Sequence, residues 1–226
     1  KNELTDKKEK EMISSARFVD SALALLQNLG AELSYDWDAI SYASTAAPDA
    51  ETRRQIVGKL RASANSHAYI QSMYLLCPER AEVLTSHEGW FAMDAFYDQE
   101  ILAEDALRAY VQRGGWSALR QYTTRSGERA RVVTCVQKLF NTTRDNLSCV
   151  VTNVYVDKLF EAMDARRWAM GQDVRITDQA GNLILDNSAG RMEAALAGVT
   201  FDALRPGQAQ AALAGEEALV VRWMSD

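Results

Sequence analysis

The side chains able to do chemistry are sparse, and their spacing fits no familiar reaction. His67 and His87 are the only histidines, and neither sits in a metal-protease spacing such as HExxH. The chain carries no GxSxG elbow, no Walker loop and no dinucleotide fingerprint. Carboxylates abound, but Asp36 with Asp38, and Glu100 with Glu104 and Asp105, read as solvated helix and loop residues. Cys77, Cys135 and Cys149 stand in apolar, strand-like runs; an odd count without CxxC spacing argues against a disulfide framework or a zinc site. They are expected to be small buried hydrophobes, with a Cys135–Cys149 bridge left open because disulfide geometry is demanding. No catalytic residue, cofactor or metal is expected, and two histidines are few for a transition-metal site.

Binding is better supplied. A small-molecule pocket needs apolar walls and a few well-placed polar groups. Trp90, Phe91, Asp94, Phe96 and Tyr97, followed by Trp116, crowd aromatics into a stretch that should cross a sheet. Flat rings with a polar tip suit sugars or heterocycles, although the same rings serve equally as core. Strand alternation sorts the rest. Val151, Asn153 and Tyr155 share one face of a strand, and Val150, Thr152 and Val154 the other; Asn153 beside Tyr155 marks the pocket side. On the preceding strand Arg131, Val133, Cys135 and Gln137 oppose Val132, Thr134, Val136 and Lys138. Arg131 is able to meet an anionic ligand or pair with Asp94, the salt bridge being the expected use. The candidate ligand-binding set is Tyr74, Trp90, Asp94, Tyr97, Trp116, Arg131, Asn153 and Tyr155.

These residues need elements to hold them. Met12, Ala16, Val19, Leu23, Leu26, Gly30 and Leu33 alternate steps of four and three, one apolar stripe along a helix, which Ile13, Ala24, Leu25 and Leu29 widen. A helix of about thirty residues spans about 45 Å. Its stripe packs on a sheet or pairs with a second copy of the chain. Small residues around Pro48 break the pattern, and residues 51–64 read as a second helix with Ile56, Val57 and Leu60 inward. Residues 69–77 form the first strand and 83–86 its partner across the turn Pro78-Glu79-Arg80-Ala81. Residues 88–115 make a long crossing, aromatic at its start and helical toward its end. Strands at 129–140 and 147–155 follow, then a linking helix. The hairpin of residues 174–186, with its turn Asp178-Gln179-Ala180-Gly181, repeats that of residues 74–86 one hundred positions later: Leu76 aligns with Ile176, Val83 with Leu183 and Leu84 with Ile184. The repeat reads as two αβ modules in series, or as two ordinary hairpins alike by chance.

Composition sets the bounds. The chain has 226 residues, 47% hydrophobic and 25% charged, which fits a globular protein with one core or two modest ones. A net charge of −6 with scattered basic residues argues against a polyanion partner such as nucleic acid. The apolar stretch 18–33 is broken by Asp20, Gln27, Asn28 and Glu32, so it is not a membrane span. A lysine start, a charged opening and a terminal strand ALVVRW lead to the expectation of a fragment cut from a longer protein.

The succession SHAYIQSMYLLCPERAEVLTS, FYDQEIL, WSALRQY, VVTCVQKLF and CVVTNVYVDKLF resembles the double Cache (dCache) extracellular sensor domains of bacteria. More narrowly, it is similar to ectodomains of Firmicutes membrane-bound AraC-type transcription regulators and related sensor histidine kinases. The resemblance implies an α+β fold: a long N-terminal helix (1–34), a membrane-distal PAS-like ligand-binding module (35–157), a linking helix (158–171) and an incomplete membrane-proximal PAS-like module (172–226), with antiparallel sheets flanked by helices. It implies an extracellular ligand-sensing domain of a transmembrane signalling protein, most closely an AraC-type regulator, flanked by transmembrane helices and sensing a small-molecule effector in the distal module. The alternatives are a histidine-kinase or chemoreceptor ectodomain, or a dimerisation or docking module without a ligand. The amino-acid-binding members carry an Arg and a Trp-Tyr pair in the crossing and an Asp on the last strand. Here Glu100, Ile101 and Leu102 fill the first region and Asn153 the second, which implies a neutral polar or sugar-like effector.

Overall fold

The computed structural model describes residues 3–45, 49–117, 119–140, 142–143, 146–162, 175–177, 183–186, 209–214 and 218–223. The chain opens with one helix, α1 (Glu3–Ser34). The stripe is buried at Val19, Leu23, Leu26, Gly30 and Leu33. Ala24 and Leu25, expected to widen it, are instead exposed. At 100° per residue they point well away from Leu26, which fixes the buried face. Two shorter helices follow. α2 (Trp37–Ser44) starts at Asp36, whose carboxylate accepts from the backbone of Asp38 and Ala39, and α3 (Ala50–Asn65) starts at Asp49, which accepts from Thr52 N at 2.6 Å. Asp36 and Asp38 are not merely solvated: Lys59 Nζ bridges them at 2.6 and 2.7 Å.

Residues 25–159 form one compact unit, built on a six-stranded antiparallel sheet. Its strands are β1 (Ile70–Cys77), β2 (Glu82–Thr85), β3 (Gly89–Ala92), β4 (Arg120–Thr123), β5 (Arg129–Lys138) and β6 (Cys149–Tyr155), in the order β3-β2-β1-β6-β5-β4. The crossing therefore begins as a strand, β3, and a short polar strand, β4, lies beside β5; neither was expected. Pro78–Arg80 form a 3-10 turn that ends at Ala81 with φ 51°, letting β2 return beside β1. The long strands are apolar and β-branched, with burial on both faces, so the sheet is covered twice.

One face carries Met73, Leu75, Leu84, Val150, Val133 and Gln137 and meets helices: α3 lies against β1 and β2, and Gln137 Nε2 donates to Gln27 O of α1 at 2.8 Å. The other face lies under the crossing segment, residues 93–113, which holds α4 (Gln99–Leu102) and α5 (Glu104–Arg113). There Phe96, Ile101 and Leu107 pack into Tyr74, Leu76, Val83, Val136 and Val151. Each such buried side chain contributes roughly 1.5–3 kcal/mol toward holding the segment down. α5 ends at Gly114 and Gly115, both at positive φ (63° and 71°), where a side chain would be strained.

A second compact unit comprises residues 1–24 and 160–226. Within it β7 (Arg175–Thr177) pairs antiparallel with β8 (Leu183–Asp186), and β9 (Ala209–Ala214) with β10 (Ala218–Trp223). β7 and β8 are the strands of the repeated hairpin, while its turn at 178–181 lies outside the described residues. α6 (Val156–Ala162) begins the linking helix, whose remainder, 163–171, also lies outside them. All three cysteines are free and buried. Cys135 pairs with Thr152 and Cys149 with Lys138, so the two sulfurs sit on opposite faces of the sheet.

Candidate functional site

The polar heart of the unit lies on the crossing-segment face, where register brings Ser72, Asn153 and Thr134 side by side across β1, β6 and β5. A register shift between Ile70 and Ser72 leaves Gln71 as an extra residue, and the bulge turns its side chain toward the same face. β4 adds Arg120 and Tyr122, and the crossing segment supplies Asp98 and Tyr97.

Arg120 is the hub. Its Nη1 and Nη2 donate to the two carboxylate oxygens of Asp98 at 2.8 and 2.7 Å, a bidentate pair. Nη2 also donates to Asn153 Oδ1 at 2.9 Å, and Nε to Thr134 Oγ1 at 2.7 Å. Arg120 is 7% exposed and Asp98 1%. Burial on its own would lower the guanidinium's pKa; the hydrogen bonds and charge of Asp98 outweigh it and leave the value raised. Around the hub, Thr134 Oγ1 donates to Asn153 Oδ1 at 2.7 Å and Asn153 Nδ2 donates to Ser72 Oγ at 3.1 Å. Ser72 Oγ lies 2.9 Å from the Tyr74 hydroxyl, which donates to Tyr122 OH at 3.3 Å, and both Ser72 and Tyr122 touch Gln71 Oε1. Tyr97 stacks on Tyr122 with ring centres 6.2 Å apart, and Arg120 stands 5.2 Å over the Tyr122 ring. Desolvation pushes the Tyr122 hydroxyl up to about 12 and raises Tyr74 and Tyr97 as well. All three are neutral hydrogen-bonding groups at physiological pH. The arrangement can recognise charge and hydroxyls; it holds no nucleophile next to a base.

Among the sequence candidates, Tyr74, Tyr97, Asn153 and Tyr155 come together on this face, Tyr97 and Tyr155 flanking the cluster of Tyr122, Ala130 and Val132. Trp90 and Arg131 lie on the helix-covered face, and Trp116 bridges Cys135 of that face. Trp90 is 52% exposed under Arg53, at 4.7 Å. Arg131 pairs with Asp157 at 2.6 Å rather than with Asp94, which is exposed in a 3-10 turn. Of the residues in place of the amino-acid motif, Ile101 joins the core, while Glu100 is exposed with its carboxylate 3.8 Å from Arg120. Sequence reasoning missed Arg120, Asp98, Tyr122, Ser72 and Gln71. The available signal was position: Asp98 and Arg120 stand in FYDQEIL and WSALRQY, the segments that carry the family likeness.

Solved structures resemble this chain, among them the following two. The extracellular domain of a histidine kinase, soHK1S-Z6, superposes with a TM-score of 0.59 at 16% identity, over 85% of this chain and 74% of that one. The ligand-binding domain of the Campylobacter jejuni chemoreceptor Tlp3, solved with L-valine, gives a TM-score of 0.50 at 13% identity, over 83% and 73%. The fold is theirs. It is α+β, a long N-terminal helix with an antiparallel sheet between helical layers, as the Cache resemblance led one to expect. No family model and no curated protein matches the sequence. Among the described residues no helix is long and apolar enough to cross a membrane, and no cluster of His, Cys, Asp or Glu is arranged to hold a metal ion.

Proposed function

We propose that the chain is the extracellular ligand-sensing domain of a bacterial transmembrane signalling protein, and that its effector is a small polar molecule taken between the six-stranded sheet and the crossing segment. One observation carries the reading: a buried, hydrogen-bonded cluster of Arg120, Asp98, Asn153, Ser72, Tyr74 and Tyr122 interrupts an otherwise apolar face, under a segment outside the sheet. A fold needs no such cluster for stability. The shared fold of two extracellular domains, one of them bound to L-valine, supports it. Tyr74, Tyr97, Asn153 and Tyr155, with Arg120 and Tyr122, are the proposed effector contacts. The absence of a nucleophile–base pair among them favours a binder over an enzyme.

The output is proposed to be an AraC-type regulator on the order of the sequence segments, while the two structural neighbours favour a kinase or chemoreceptor. The dimer reading has support from α1, where Phe18 and Leu25 are exposed seven residues apart on one face. Thermal denaturation against a panel of sugars, amino acids including L-valine, organic acids and nucleobases tests the main proposal. A true effector at 100 times its Kd adds about 2.7 kcal/mol and raises Tm by several degrees. Asn153→Ala should erase the shift. A panel without any saturable stabilisation refutes the reading.

A further inference from the structure

We propose that the turn between β4 and β5 is a strap across the mouth of the effector site, and that release of Arg125 from Glu88 and Phe91 opens the way to the buried polar cluster. The inference rests on the ligand-sensing reading above and adds the means by which its site is entered and closed.

The curl of the sheet sets the geometry. β3 and β4 are its two outer strands, with β2, β1, β6 and β5 between them. Neighbouring strands lie roughly 4.8 Å apart, so a flat sheet would hold those edges about 24 Å from one another. Yet the Arg125 guanidinium, in the turn after β4, stands 5.4 Å over the ring of Phe91 on β3. Its Nη1 lies 3.8 Å from a carboxylate oxygen of Glu88, just before β3. The two edges are therefore curled toward each other over the face that carries the crossing segment. Tyr97 fills the gap between them: its ring centre is 5.9 Å from that of Phe91 and 6.2 Å from that of Tyr122 on β4. Phe91, Tyr97, Tyr122 and Arg125 thus close a ring from one edge of the sheet to the other.

That ring borders the polar cluster where the cluster meets solvent. Tyr122 bonds Tyr74 and Gln71 through its hydroxyl. Gln71 and Tyr97 are half-buried, whereas Ser72, Tyr74, Asp98, Thr134 and Asn153 are buried, so the way in lies at the Gln71–Tyr97 end. The turn beside it is built to move as one piece. Thr124 N donates to Glu128 O at 2.8 Å, Gly127 N donates to Thr124 O at 2.9 Å, and Gly127 takes φ 85°, which suits glycine. Among the described residues, the ion pair and the ring contact that tie this turn to other elements both run through Arg125. Both are weak. With the Arg125 side chain 63% exposed, solvent screens the ion pair, and a cation–π contact at the surface is of similarly modest size. A weak latch lets the turn lift by local opening while the rest of the sheet stays paired. Lifting it uncovers Tyr97 and Tyr122, and behind them the polar cluster.

Acetylation of tyrosine hydroxyls by N-acetylimidazole, mapped residue by residue with mass spectrometry, reads the opening without any effector. Failure here therefore leaves the sensor reading intact, and an effector panel without stabilisation leaves the strap intact. Rates are taken relative to Tyr35, which is 61% exposed. Arg125→Ala should speed acetylation of Tyr122 about fivefold, and Glu88→Gln, which keeps the Phe91 contact, about twofold. Raising sodium chloride from ~0.05 to ~1 M should speed Tyr122 in the unaltered chain and leave its rate in Arg125→Ala unchanged. Tyr42, 1% exposed and bonded to Glu82, reports loosening of the whole unit. A parallel rise at Tyr42 overturns the strap, as does a Tyr122 rate indifferent to Arg125→Ala. Should that variant not fold, the salt series on the unaltered chain decides: a Tyr122 rate that does not rise with salt overturns the proposal.

Discussion

Gly30 lies where α1 comes closest to the sheet, and an alanine there gives a test that turns on sign. A Cβ at this position would collide with Gln137 Oε1 and stand 3.2 Å from both Gln137 Cδ and Thr152 Oγ1. In an open helix, Gly→Ala adds about 1 kcal/mol through helix propensity. Here Gln137 must swing aside, which breaks its 2.8 Å bond to Gln27 O and strands a largely buried amide. That loss costs about 1–3 kcal/mol, so Gly30→Ala should destabilise by about 1 kcal/mol. In a Gln137→Ala background the obstacle is gone. Thr152 Oγ1, which has no hydrogen bond to lose, shifts by a few tenths of an ångström. There the same Gly30→Ala should stabilise by about 1 kcal/mol, making a coupling of about 2 kcal/mol. Urea unfolding followed by far-ultraviolet circular dichroism measures the four proteins of the cycle. Equal effects in both backgrounds would show that α1 does not meet β5 at Gly30, and the description of the helix-covered face would be wrong.

Further outcomes follow from the same geometry. Arg120→Met alone should lose about 3–5 kcal/mol by stranding the Asp98 carboxylate, whereas Arg120→Met with Asp98→Leu should recover most of it in the same urea assay. Alkaline stability should fall where the folded chain holds protons that the unfolded chain releases. With Tyr122 raised to about 12 against about 10 unfolded, stability is whole below pH ~10 and declines above it by about 1.4 kcal/mol per pH unit until pH ~12, a slope that Tyr122→Phe should flatten. Cys77, Cys135 and Cys149 are buried and their thiols raised, so a thiol reagent at pH ~8 should label them only as fast as the chain unfolds; rapid labelling of the native protein contradicts their placement. Ala81→Gly should raise stability by about 0.5 kcal/mol, because φ 51° strains alanine and suits glycine; a lower Tm would argue against the left-handed turn.

Much of the scaffold was legible because its signals are local. The four-and-three stripe of α1 and the β-branched runs of β5 and β6 depend on periods of 3.6 and 2 that survive in a bare sequence. Alternation also separated Asn153 and Tyr155 from Val150 and Thr152, and that division holds in the sheet. β3 and β4 escaped notice for one reason: each is four residues long, too short for alternation to show, and β4 reads RQYT. Missing β4 hid Arg120. An arginine in a polar tetrapeptide reads as solvated, and the bidentate partner 22 positions earlier, Asp98, helps to make its burial tolerable. Arg131 stands out in the sequence instead because it lies in a long, obvious strand, yet alternation sends it to the other face.

That hidden pair is also the part of the unit least explained by stability. Arg120 stands over the Tyr122 ring and opposite Val132, where apolar side chains in place of the pair would pack without a desolvation penalty. Buried ion pairs replaced by well-packed apolar side chains of similar volume often leave a protein as stable or more so. The pair does something apolar packing cannot. Apolar contacts between the crossing segment and the sheet weaken gradually as area is uncovered, whereas a bidentate charge pair is either closed or broken.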